Sequence, residues 1–128
     1  MKYLVDTHTY FWYRTLPSAV PPLVMDTLTD MSHEILISVA VPWELAIKTG
    51  AGGMDAAALL VNFESRETAA GFTMAGVTTA QAIRSGLLPR HHKDPFDRLL
   101  AAQALDLDVQ LISKDAIFDV YGVRRIWS

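Results

Sequence analysis

The chain has 128 residues, enough for one domain with a buried core, and its 51% hydrophobic and 20% charged composition excludes a disordered polypeptide. It has no cysteine, which rules out disulfides, thiolate metal sites and a cysteine nucleophile. A net charge of −3 argues against indiscriminate nucleic-acid binding through a global field, but it leaves room for a local basic rim.

No apolar run approaches the roughly 18 residues that span a bilayer. The opening Met1-Lys2-Tyr3-Leu4-Val5-Asp6 reaches an acid too soon for a signal peptide, so a cytoplasmic protein with no membrane attachment is expected. No internal repeat, low-complexity tract or linker interrupts the chain, and residues 1–128 read as a single domain.

Lys2 to Val5 is a short apolar strand that delivers Asp6 at its C-terminal end, and Thr7 to Arg14 follows as a helix. In open α/β sheets the crevice outside such strand ends is where ligands bind. Helix capping by Asp6 or Thr7 accounts for the same acid equally well. Tyr10, Phe11, Trp12 and Tyr13 read as packing residues before they read as a base-stacking platform. Prolines 17, 21 and 22 precede a helix from about Leu23 to Met31, and Ile35 to Val39 forms a second continuous apolar strand.

Val41 to Lys48 is a helix with Pro42 near its start and Glu44 in its first turn. A Glu44–Lys48 pair on the helix surface is the simple account of that acid, worth a few tenths of a kcal/mol. Gly50, Gly52 and Gly53 lack the spacing of a phosphate-binding loop and mark a turn. Asp55 caps a helix expected to reach Ala69, residues 72–77 form a weak strand, and Thr79 to Gly86 forms a helix that ends at a glycine cap.

The stretch from His91 to Leu105 carries the most chemistry. Asp94 is a good N-cap, Pro95 suits the first helical position, and Asp97 falls where the helix dipole favours a negative charge. The adjacent His91 and His92 are poorly placed for joint metal coordination, so a solvated loop or a phosphate contact is the better reading. Val109 to Ser113 is a strand, Asp115 stands just beyond it with helix capping as its alternative role, and a short helix runs through Phe118. Val123 to Trp127 closes the chain as a short edge strand.

This order of elements requires mostly parallel strands with helices on both faces. Asp6 and Asp115 leave strand ends while Glu44 and Asp97 open helices, so all four acids can converge on one edge of the sheet. Gathered carboxylates repel one another unless a positive charge is bound. An all-oxygen set without cysteine points to a hard cation, Mg²⁺ or Mn²⁺, and to metal-assisted phosphodiester hydrolysis.

The sequence resembles the PIN-domain ribonucleases, specifically the VapC-type toxins of toxin–antitoxin pairs. The resemblance is carried by Leu4-Val5-Asp6-Thr7-His8 with Trp12, by Ser38 and Trp43-Glu44-Leu45-Ala46-Ile47-Lys48, by His92-Lys93-Asp94-Pro95-Phe96-Asp97-Arg98 with Ala102-Gln103-Ala104, and by Leu111-Ile112-Ser113-Lys114-Asp115. It implies a three-layer α/β/α sandwich with a mostly parallel sheet of four to five strands. Asp6, Glu44, Asp97 and Asp115 would form the catalytic and metal-binding set, with Asp6 and Asp97 as the most direct ligands of Mg²⁺ or Mn²⁺.

Ser113 would supply a hydroxyl that orients water or metal. Arg90, His91, His92, Lys93, Arg98 and Lys114 would border the site and meet the RNA backbone. The family further implies a homodimer, an RNA substrate, and a cognate VapB-like antitoxin through which alone operator DNA is reached. Residues 10–13, 23–31 and 56–63 are candidate partner contacts, with core packing as good an account of them. A PIN module that binds RNA or a protein partner without cutting is the rival, and the presence of all four acids speaks against it. A phosphoacceptor receiver domain and a haloacid-dehalogenase-type phosphatase both need a second acid near Asp6, and none is there.

Overall fold

A computed structural model describes residues 1–128. Five strands, β1 (Lys2–Val5), β2 (Glu34–Ser38), β3 (Thr73–Ala75), β4 (Gln110–Ile112) and β5 (Arg125–Ile126), form one sheet in the order β3-β2-β1-β4-β5. Every neighbouring pair is parallel. Seven helices connect them: α1 (Thr7–Thr15), α2 (Pro22–Thr29), α3 (Ala40–Gly50), α4 (Ala57–Leu60), α5 (Phe63–Ala69), α6 (Thr79–Leu87) and α7 (Pro95–Leu107). None is long and apolar enough to cross a membrane.

Side chains alternate across a strand, so one apolar run supplies two cores. Tyr3, Val5, Ile35, Ile37 and Ile112 face a core completed by Tyr10 of α1, Val24 and Leu28 of α2, Val41 and Leu45 of α3, and Phe63 of α5. Leu4, Leu36 and Leu111 face the other side, against Leu99, Leu100, Ala101 and Ala104 of α7 and against Phe118. The result is the three-layer α/β/α sandwich expected from the element order, with a sheet that is wholly parallel rather than mostly so.

The chain runs outward from β1 through β2 to β3, then returns to the other side of β1 for β4 and β5. Strand order therefore reverses between β1 and β4. The crevice beyond the carboxyl ends of those two strands is where open α/β sheets place ligands.

Local chemistry moves several expected boundaries. The helix expected from Asp55 to Ala69 is two helices, broken at Val61 and Asn62, where Asn62 adopts a left-handed conformation with φ of 51°. Asparagine tolerates that conformation better than most residues. Gly86 lies inside α6 instead of capping it, and the helix is fixed at its start by a reciprocal capping box between Thr78 and Gln81. α3 begins at Ala40, which puts Glu44 in the second turn rather than the first.

In the segments 10–13, 23–31 and 56–63, Tyr10, Val24, Leu28, Ala56 and Phe63 are buried in the core, while Leu23, Met31 and Val61 are exposed. One buried polar network joins α1 to α5. Glu67, fully buried, accepts hydrogen bonds from the Tyr10 hydroxyl and from two nitrogens of Arg14, and Arg66 lies 3.8 Å away. Burial, with the Glu67 charge adding, pushes the Tyr10 hydroxyl up to about 12.

Candidate metal centre

Asp6 follows β1 directly and is the N-cap of α1, one of the two roles its sequence position suggests. Its Oδ1 accepts the Thr9 backbone N–H at 2.9 Å, capping α1, while its Oδ2 accepts the Ser113 hydroxyl at 2.6 Å. Burial raises its pKa above the ordinary carboxylate value, and the bonds from Ser113 and Thr9 oppose the shift.

Asp97 reaches the same edge from the first turn of α7. That helix runs antiparallel to the strands, so its N-terminus lies at their carboxyl ends. The helix is started by Asp94, whose Oδ1 accepts the N–H groups of Phe96 at 2.8 Å and Asp97 at 3.4 Å, with Pro95 at the first position. Asp94 is thus the N-cap expected of it. The Asp97 carboxyl is pushed up to about 8, first by burial and then by the charges of Asp94, Asp6, Glu44 and Asp115. Four acids acting on a fifth group show that the cluster lacks sufficient positive compensation.

Asp115 lies beyond β4. Its Oδ1 caps the 3-10 turn Ala116–Tyr121 by accepting the Ile117 N–H at 3.0 Å, and its backbone N–H donates to the Ser113 hydroxyl at 3.0 Å. Asp6, Asp97 and Asp115 together line a cleft of about 370 Å³ with His8, Trp12, His92 and Lys114.

Glu44 differs from the other acids. It is 1% exposed and does not line the cleft, and its Oε2 lies 2.7 Å from Lys48 Nζ. The pair anticipated from the i,i+4 spacing therefore exists, but its carboxylate is buried and not on a solvated helix face. Its Oε1 is buried with no hydrogen-bond partner. Burial disfavours the charge on Lys48, and Glu44, with Asp94 and Asp97 adding, overrides that effect and raises its pKa.

The expected rim divides into two groups. Arg90, His91, Lys93 and Lys114 are exposed, and Lys114 sits 5.8 Å from the Trp12 ring. Arg98 does not belong to the rim. It is buried, and its two terminal nitrogens donate to the carbonyls of Ser85, Gly86, Leu88, Pro89 and His92. A guanidinium committed to five carbonyls fastens the α6–α7 connection and cannot also meet a phosphate.

Ser113 is likewise fully buried, and its hydroxyl is engaged by Asp6 Oδ2 and the Asp115 N–H. His92 turns inward, with Nε2 2.9 Å from Asp97 Oδ2 and 3.5 Å from Asp115 Oδ2. It is not the solvated loop residue that its neighbour His91 is.

His8 and Trp12 line the cleft without belonging to the expected site residues. The available signal was their i,i+4 spacing on the helix that Asp6 caps, which places both on one face; their rings lie 5.8 Å apart.

A PIN-domain family model matches residues 3–123. The chain belongs to the PIN-domain family. Its fold is similar to that of a chain in VapBC2 from Rickettsia felis bound to a DNA fragment from its promoter, with 15% identity, TM-score 0.72 and complete coverage of both chains. It is also similar to a chain in DNA-bound VapBC from Salmonella typhimurium, with 18% identity, TM-score 0.71, and coverage of 98% of this chain and 97% of that one. A chain of FitAcB from Neisseria gonorrhoeae matches at 15% identity and TM-score 0.63, covering 97% and 96%. No curated protein sequence matches the chain.

Proposed function

We propose that this PIN domain is a VapC-like endoribonuclease toxin that hydrolyses RNA phosphodiester bonds with Mg²⁺, or with Mn²⁺ in its place. The observation that carries this reading is the convergence of Asp6, Asp97 and Asp115 on one cleft at the sheet's switch point. The family supports the nuclease class, and the likeness to chains from VapBC complexes supports the toxin.

The residues suit a hard divalent cation. The acids lining the cleft offer only oxygen, the buried Glu44 Oε1 has no hydrogen-bond partner, and the elevated Asp97 pKa marks a cluster short of positive charge. Asp6, Asp97 and Asp115 would hold the ion, with Glu44 strengthening the negative field from beneath. When bound, the ion lowers the pKa of an attacking water and offsets charge on the phosphate.

The protein's own part is positioning. Ser113 and Thr9 fix the two oxygens of Asp6, and the capped N-terminus of α7 fixes Asp97. Lys114 on the cleft wall, with Arg90 and Lys93 exposed on the loop before α7, would engage the RNA backbone without reading sequence.

A VapB-like antitoxin would neutralise the enzyme and carry any contact with operator DNA, and the toxin would be a homodimer. The surface that suits a protein partner is an almost wholly apolar groove of about 520 Å³ lined by Val39, Trp43, Val77, Phe96 and Leu99. It lies between the start of α3, α6 and the start of α7, not on the segments expected from the sequence.

The test is incubation of purified, antitoxin-free protein with total cellular RNA in Mg²⁺ and in EDTA. Discrete fragments in Mg²⁺ alone are the expected result, and mapping their ends names the substrate. RNA left intact in both, while the folded protein still binds RNA or an antitoxin, would replace this reading with the non-cutting module.

A further inference from the structure

His92, Asp97 and Asp115 bring one nitrogen and two oxygens within 4.8 Å of one another, an arrangement that on distance alone describes a mixed histidine–carboxylate metal site. The hydrogen bond on the other side of the ring excludes that description. The backbone N–H of Asp94 donates to His92 Nδ1 at 3.1 Å. A backbone N–H can only donate, so Nδ1 is a bare acceptor and the ring proton resides on Nε2. Nε2 is the atom that faces Asp97 and Asp115. A nitrogen that carries a proton has no lone pair for a metal.

The ring is also held in place. The His92 carbonyl accepts from Arg98 Nη1 at 3.4 Å, its N–H donates to the Tyr121 hydroxyl at 2.8 Å, and its ring packs 6.4 Å from that of the buried Phe118. Rotation to offer Nδ1 instead would sacrifice the bond from Asp94, which itself caps α7.

We propose that His92 is a positioning residue and not a ligand: its locked Nε2–H holds Asp97, and draws Asp115 toward it, so that the carboxylates present oxygen alone to a hard cation. The inference rests on the metal-centre reading above and assigns a role to a residue outside the four acids. Hydrogen bonds to ligating groups orient them, and their loss typically weakens metal affinity by about 10- to 100-fold. Glutamine places an N–H near the position of Nε2 and tests the role separately from ring packing, whereas leucine fills the space without a donor.

Two measurements decide it. Imidazole ¹⁵N spectra of the wild-type protein should show His92 protonated at Nε2 and bare at Nδ1, both metal-free and in saturating Mg²⁺. Mn²⁺ binding, followed by loss of the free-ion EPR signal, should weaken by about 10- to 100-fold in H92L and recover in H92Q. A proton on Nδ1, or loss of the Nε2 proton on adding Mg²⁺, would overturn the proposal, as would H92L binding Mn²⁺ like wild type. If wild type itself binds no Mn²⁺, the metal-centre reading fails and takes this role with it, an outcome distinct from a failure confined to H92L. Circular dichroism of H92L, matched to wild type and H92Q, shows that its lost affinity is not a lost fold.

Discussion

Ser113 donates its hydroxyl proton to Asp6 Oδ2 at 2.6 Å across 107 residues of sequence. The contact follows from the pairing of β1 with β4, whose register sets Val5 opposite Ile112 and so brings the next residue of each strand together. The same hydroxyl accepts the Asp115 N–H, so one buried side chain ties two of the candidate ligands. Replacing it with alanine leaves a buried carboxylate oxygen without its donor. S113A should lose about 1–3 kcal/mol in urea unfolding, and S113T should retain most of that stability. No change in S113A would show that Asp6 does not depend on this bond.

Arg98 should behave as a structural residue. R98A removes a buried cation and strands five carbonyls, and R98K keeps the charge but loses the planar fork. A loss of about 3 kcal/mol or more is expected for R98A, with R98K intermediate, measured by denaturant midpoint. Exposed Lys93 should show the reverse pattern. K93A should shift stability by no more than about 0.5 kcal/mol, yet lower the slope of log affinity for single-stranded RNA against log salt by about 0.7.

Asp97 should make the metal-free protein weaker as pH rises. Its folded pKa, about 8, lies above the ordinary carboxylate value of 3.8, chiefly because of burial. Between those values the native state holds a proton that the unfolded state has released, so this group's contribution to stability is present at low pH and is lost as pH climbs toward 8. The contribution changes by about 1.4 kcal/mol per pH unit at full effect, and D97N should flatten it. A cation competes with the same proton, so Mn²⁺ affinity should rise over that range and level off near pH 8. Affinity independent of pH would place the ion elsewhere.

The Glu67 network should matter to stability and not to the cleft. E67A removes the carboxylate that pairs Arg14 and accepts from Tyr10, leaving the buried Tyr10 hydroxyl and the half-buried Arg14 guanidinium without their partner. A loss of about 3–5 kcal/mol is expected from thermal or urea unfolding. Mn²⁺ affinity of the folded fraction should match wild type.

The fold was legible because its signals are periodic or chemical. Apolar runs ending at Asp6 and Ser38 mark buried parallel strands, and Asp94-Pro95 marks the start of a helix. The break at Asn62 was not, because residues 55–69 have no proline or glycine and the left-handed turn depends on how two short helices pack. At the cleft, the meeting of Asp6, Asp97 and Asp115 could be read from residue type and element order, whereas Glu44, expected with them, lies off the cleft wall beside Lys48. Their surroundings could not. Nothing local distinguishes the buried Arg98 from the exposed Lys93 five residues earlier, because burial depends on the α6–α7 connection folding over it. Which way His92 turns depends likewise on a hydrogen bond that forms only once Asp94 caps α7.

Asp6, Asp97 and Asp115 are proposed as the centre at which RNA is cut. D97N tests it most directly, since asparagine preserves size while removing the charge that a cation needs. In Mg²⁺, with matched folding confirmed by unfolding temperature, wild type should produce discrete RNA fragments and D97N none. A D97N protein that cuts as well as wild type would mean that RNA is not cut at this cleft.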